Sequence, residues 1–299
     1  MSAPIGFEEW LAEMLPVLPV ILRIPSSAKV SKSLSVSVTG VEDVLRHYRW
    51  KAKLPGADGQ SRSSEDWQTT KTLLKTLGEE LQSAGRSGSD SAALAVCHSI
   101  FRWGGERNPK EGARPFLKEL EQSGQLISYL DHTRKAFDLN TGNEAKLKAS
   151  VKRMTSMLTK VHALYAHDGL PIYDSRVAAA ISSLAELYRR TVLQGGRLPE
   201  ELRFPSVGGS NTRRRVRRIF VDADEPSPIH YGMANSASRW SAAQWRLGRL
   251  LKKVLLLKPQ LFDVEGTIPD RMHALEAALF MIGYDVANLD VSRFVSLSK

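Results

Sequence analysis

The sequence predicts a mainly α protein of packed helices with little β structure, in one large domain or two lobes, and three observations predict the helical class. Apolar residues recur every three or four positions through most of the chain after residue 63, the spacing that gives a helix one buried face. Start and stop signals bracket these runs, with Asp, Ser or Thr ahead of them and Gly or Pro behind. Only residues 33–39 alternate clearly, with Leu34, Val36 and Val38 on one side and serines on the other. That alternation reads as one short strand.

Each element follows in order. Residues 1–62 read as an irregular, strand-containing segment packed on the rest, and residues 63–299 as the helical domain. Residues 53–63 are rich in Gly, Ser and Pro and read as a loop. Ser64 is placed to cap a helix carrying Trp67, Leu74, Leu77 and Leu81, with Glu65 and Asp66 in its first turn, where the helix dipole favours acids. A loop over 85–89 follows. Asp90 then opens a helix with Leu94, Cys97 and Phe101 inward, which the paired glycines of Trp103-Gly104-Gly105 stop.

One helix is expected over 112–138. Thr141 and Glu144 have the spacing of a capping box. They would start a single long helix through Leu147, Val151, Met154, Leu158, Val161 and Tyr165, closed by Gly169 and Pro171. Asp174 opens the next helix, with Val177, Ile181, Leu184 and Tyr188 on one face. Two further helices are expected over 238–257 and 267–282, the second capped by Thr267 and stopped by Gly283.

Composition narrows the function. The 299 residues can bury a full core without cross-links. One cysteine, Cys97, excludes an internal disulfide framework and a four-cysteine iron–sulfur cluster and fits a reducing, cytoplasmic setting. The apolar run 14–24 is short, is broken by Pro16 and Pro19, and is preceded by glutamates, so no membrane span or signal peptide is expected.

The net charge is +10, and residues 151–299 carry most of it, with 22 Lys and Arg against 14 Asp and Glu. A basic field of this kind favours polyanions, DNA first and RNA also open. Residues 195–211 hold four glycines and two prolines and lead into Arg213, Arg214, Arg215, Arg217 and Arg218. These are candidate phosphate contacts, because guanidinium groups grip phosphate in a bidentate way. A localisation signal or a solvated loop are the plainer readings.

Candidate chemistry centres on 157–180. Lys160 lies within an otherwise apolar helix face, and Asp174 lies at a helix start. Six helical residues climb about 9 Å, and eight extended residues can return up to about 26 Å. The chain can therefore bring the amine and the carboxylate to one mouth, a cleft between lobes. Asp174 as a simple cap and Lys160 as a snorkelling surface lysine are the alternatives. His162 and His167, five apart, do not share a helical face, so no metal site is expected, and no cofactor. Neither a GxSxG nor a GxxxxGK[ST] pattern is present.

Thr159-Lys160 followed by Leu170-Pro171-Ile172-Tyr173-Asp174-Ser175-Arg176-Val177 resembles the core of the helix–hairpin–helix DNA glycosylases. The resemblance is greatest to their divergent bacterial 8-oxoguanine DNA glycosylase-like relatives, whose glycine motif Trp103-Gly104-Gly105 also resembles. The likeness covers about two dozen residues. It implies a two-lobed helical fold, DNA as partner, and excision of a flipped, damaged or modified base in repair or phage defence.

Lys160 would match the family's nucleophilic lysine, Asp174 its catalytic aspartate, and Val177 the hydrophobic position after it. His98, Trp103 and Tyr173 become base-pocket candidates, Arg176 a DNA contact, and Trp50, Trp67, Trp240 and Trp245 possible stacking rings. The chain departs from the family where a Gly-rich hairpin turn would precede the lysine: it has Met154-Thr155-Ser156-Met157-Leu158. A non-catalytic nucleic-acid-binding module, or a subunit of a defence or repair assembly, is the competing expectation.

Overall fold

A computed structural model describes residues 5–55, 61–106, 109–207, 212–223 and 234–292, with backbone alone for 234–236. The fold is mainly α: the described residues form eleven α-helices and two two-stranded antiparallel sheets. The chain divides into two compact units. One comprises residues 1–48, 173–229 and 246–299, and the other residues 49–172 and 230–245.

The first unit begins with α1 (Phe7–Met14) and a hairpin of β1 (Pro19–Ile24) and β2 (Leu34–Thr39), paired from Pro19 with Thr39 to Ile24 with Leu34. The expected strand is β2, with Leu34, Val36 and Val38 half-buried and Ser35 and Ser37 exposed. β1 was not expected: its apolar run hid the alternation. α2 (Val41–Arg46) follows.

The second unit begins with the hairpin of β3 (Ala52–Pro55) and β4 (Ser61–Ser64), so most of the loop expected over 53–63 is strand, with 56–60 outside the described residues. Residues 1–62 thus contribute to both units. Ser64 caps nothing. It ends β4 and its hydroxyl donates to the Trp50 carbonyl, while Asp66 caps α3 (Trp67–Ser87) by accepting from Thr69 N at 2.8 Å.

α4 (Asp90–Gly104) is capped by Ser89, not Asp90. The Asp90 carboxylate instead accepts from Leu126 N and Ile127 N at 3.0 Å each, capping a different helix. The helix expected over 112–138 is two, α5 (Ala113–Gln122) and α6 (Leu126–Phe137), parted at Gly124, whose φ of 65° is left-handed.

The long helix expected from 144 to 165 is also two, α7 (Glu144–Ser150) and α8 (Ser156–Tyr165). Asn143 caps the first. Thr141 instead donates through N and Oγ1 to Asp138 Oδ1. Thr155 caps the second, and its hydroxyl outcompetes continuation of the helix.

The chain returns to the first unit with α9 (Ser175–Thr191), buried at every residue from 177 to 188. Its small residues allow close packing, and its Ser182 and Ser183 hydroxyls bond back to the carbonyls of Ala178 and Ala179. α10 (Ala234–Leu257) ends where buried Arg271 donates to the carbonyls of Leu255, Lys258 and Leu261. Arg271 belongs to α11 (Ile268–Ile282), which packs on α2 and α9 and carries the expected Thr267 cap. No helix among the described residues is long and apolar enough to cross a membrane.

Candidate functional site

Asp174 caps α9. Its Oδ1 accepts from Arg176 N at 2.9 Å and Val177 N at 3.2 Å, and the residue is 5% exposed. The helix N-terminus supplies N–H groups and a positive dipole end, both of which hold a carboxylate in place.

Around this helix start the same unit gathers a charged cluster. The Arg176 guanidinium lies 4.7 Å from the Phe280 ring centre and 4.2 Å from that of Tyr284. Arg214 Nη1 donates to Ser175 Oγ. The Tyr284 hydroxyl is buried without a hydrogen-bond partner among the described residues, and burial raises its pKa, with nearby Arg176 opposing and Asp174 adding to the rise. The phenol stays protonated as a potential donor.

Tyr173 is fully buried. Its hydroxyl donates to the Pro205 carbonyl at 2.7 Å, and burial raises its pKa far above the usual value. It anchors the chain before Asp174 and presents no open ring face.

In the arginine run, Arg213, Arg215, Arg217 and Arg218 are exposed and Arg214 is half-buried. Arg214 is held on Ser175, Arg217 Nε donates to the Ala223 carbonyl at 2.7 Å, and Arg218 Nε to Asp285 Oδ1 at 2.6 Å. Residues 208–211, ahead of the run, lie outside the described residues.

Lys160 belongs to the other unit. It is 4% exposed on α8, and its Nζ donates to the Ser156 carbonyl at 3.0 Å. Gln244 Nε2 donates to the Thr159 carbonyl at 2.9 Å and the Pro171 carbonyl at 2.8 Å, which pins the turn bearing Lys160. Two residues on, His162 lies fully buried beside the Phe137 ring at 5.0 Å, and burial pulls its pKa down to about 4. Its Nε2 has no hydrogen-bond partner among the described residues.

His98 is half-buried on α4, and burial and then Arg114 lower its pKa. Trp103 is 5% exposed, and its carbonyl accepts from Trp50 Nε1 at 2.8 Å. Trp50, Trp67, Trp103, Trp240 and Trp245 are all buried, so none offers an open platform for a base.

The structure therefore brings together Asp174, Arg176 and Arg214 in one unit. Lys160 and the Trp103-Gly104 stop meet in the other. Sequence reasoning missed Phe280, Tyr284 and Gln244, and their spacing carries no signal for these roles. Among the described residues no group of three or more His, Cys, Asp or Glu could hold a metal ion. No protein-family model, curated protein or solved structure matches the chain.

Proposed function

We propose that the chain is a DNA-binding base-excision enzyme that breaks the N-glycosidic bond of a damaged or modified base. Asp174 would stabilise the positive charge that develops on the sugar as the base leaves with the bonding electron pair. The Lys160 amine, after giving up a proton to solvent, would attack C1′ as the base departs; opening of the C1′–O4′ bond, with a proton taken up by O4′, would then give a Schiff base from which strand cleavage can follow. The observation that supports this reading most is the buried Asp174 carboxylate at the α9 start, with Arg176, Arg214 and the Tyr284 phenol beside it. Arg213 and Arg215 are exposed on the segment that Arg214 ties to α9, where they suit phosphate contact.

The test uses duplexes carrying varied base lesions or an abasic site. Wild type should release base and be trapped on DNA by borohydride. Asp174→Asn should slow base release about a hundredfold or more, and Lys160→Gln should abolish trapping. Trapping that survives Lys160→Gln removes that lysine as the nucleophile.

A second reading is a nucleic-acid-binding module without chemistry. It is favoured by the capping role of Asp174 Oδ1 and by the glycine-free, Thr155-capped start of α8. It predicts salt-sensitive binding with no base release. Replacing Arg213 and Arg215 with alanine should then lower the salt slope by about one phosphate contact for each arginine. Absence of binding to every DNA and RNA probe at low salt would sink both readings.

A further inference from the structure

The two glycines that stop α4 have different physical reasons. Gly105 is the C-cap, with a left-handed φ of 73° that glycine adopts without strain. Gly104 is the last helical residue, and helical backbone does not call for glycine. What Gly104 provides is space. A Cβ there would lie 2.9 Å from Lys160 Cδ, 3.1 Å from Lys160 Cε and 3.1 Å from Met157 Sδ. Comfortable carbon–carbon contact is about 3.5–4.0 Å.

One of these neighbours would have to yield. The α8 turn is held from another side, because Gln244 grips the Thr159 carbonyl. The Lys160 side chain is the softer partner, yet at 4% exposure it has little room for retreat into solvent. A methyl at 104 would therefore push the lysine stem off its path and draw Nζ away from the Ser156 carbonyl, its acceptor one turn back.

We propose that Gly104 is a positioning residue for Lys160: the missing side chain forms the slot in which the lysine stem lies, and the slot aims the amine. The inference rests on the reading of Lys160 as the nucleophile, but the geometry can be tested without DNA. Competitive acetylation of the folded protein with acetic anhydride, across pH, reads the reactivity of each lysine by mass spectrometry. Exposed Lys118 serves as the internal standard.

Gly104→Ala should change the acetylation rate and pH profile of Lys160 relative to Lys118. Gly105→Ala puts a side chain on the left-handed cap residue, so it should lower stability and, if the slot belongs to Gly104, leave the Lys160 profile in place. On abasic DNA, Gly104→Ala should slow borohydride trapping by about tenfold or more, the scale expected for sub-ångström to 1 Å misplacement of a reacting group.

If Gly104→Ala alone folds poorly, Gly104→Ala with Met157→Ala removes the sulfur overlap and carries the same measurement. An unchanged Lys160 profile in either protein overturns the proposal. Failure of wild type to trap on any DNA removes Lys160 as the nucleophile of the glycosylase reading, and the acetylation result still decides the role of Gly104.

Discussion

Asp174 and Lys160 are immobilised by different means. Asp174 is fixed through backbone: two α9 N–H groups hold its carboxylate, and the Arg176 carbonyl at that helix start is pressed against Gly283 at the end of α11. Lys160 is fixed along its side chain, its stem in a slot over Gly104 and its amine on the Ser156 carbonyl, on a helix whose next polar residue, His162, lies beside the Tyr129 and Phe137 rings. The carboxylate is thus tied to the stability of its unit, whereas the amine can be displaced by changes that leave the backbone nearly intact. The polar setting follows the same division. Buried Glu186, farther along α9 from Asp174, is held by Arg189 and Arg190, whereas His162 is kept neutral by apolar burial.

The largest expected effect lies on the backbone side. A Cβ at Gly283 would sit 1.9 Å from the Arg176 carbonyl oxygen and 2.5 Å from its carbon, so two helix ends would have to part. Gly283→Ala should cost about 3 kcal/mol or more, the upper range of overpacking in a dense core. Gly104→Ala, whose clash falls on a side chain, should cost clearly less. Urea unfolding of the two variants makes the comparison, and equal losses would erase the distinction.

A second effect, somewhat smaller, tests the apolar setting of Lys160's helix. The folded His162 pKa of about 4 lies below the ordinary value near 6.5. Above pH 6.5 the ring is neutral in both folded and unfolded chains and has no effect on pH dependence. Between pH 6.5 and 4 the unfolded chain takes up a proton that the folded chain refuses, so stability falls as pH falls. The loss from this group reaches about 3 kcal/mol near pH 4. His162→Phe should remove that component, so the gap between the two proteins should shift toward the variant on acidification. Curves that stay parallel from pH 7 to 4 would show that the ring is not shielded.

The helical class was legible because apolar periodicity and caps act locally, and Asp174 and Thr267 announced their helix starts for that reason. The break between α7 and α8 was not legible, since Val151 and Met154 continue the apolar stripe and only the Thr155 hydroxyl ends it. The hairpin β3–β4 was hidden by the Pro and Ser of its short strands and by the glycines at 56 and 59 between them.

As candidate residues, Lys160 and Asp174 could be selected from residue type and spacing, and the structure describes each within its own unit. The rings under Arg176 come from α11 and the residues just after it, far along the chain, so no local pattern could reveal them. The arginine run read as one unit of charge. Its residues differ because Arg214 and Arg218 reach Ser175 and Asp285 only through tertiary packing, while Arg217 folds back on the local Ala223 carbonyl.

The smallest stability effect is the most informative about chemistry. Asp174 joins two roles, cap and candidate carboxylate, and two substitutions separate them. Asparagine keeps an oxygen that can accept from Arg176 N and Val177 N, so Asp174→Asn should retain the cap and cost only a few tenths of a kcal/mol, whereas Asp174→Ala should cost about 1 kcal/mol. Neither change should approach the loss at Gly283, because the helix start stays wedged against α11. If Asp174 serves only as a cap, the asparagine protein will match wild type in every DNA assay, and only the alanine protein will weaken, in proportion to its stability. If the negative charge itself acts on the sugar, base release will collapse in the asparagine protein while its unfolding midpoint stays within about a kcal/mol of wild type. Measuring both quantities on the same two proteins distinguishes a structural aspartate from a chemical one.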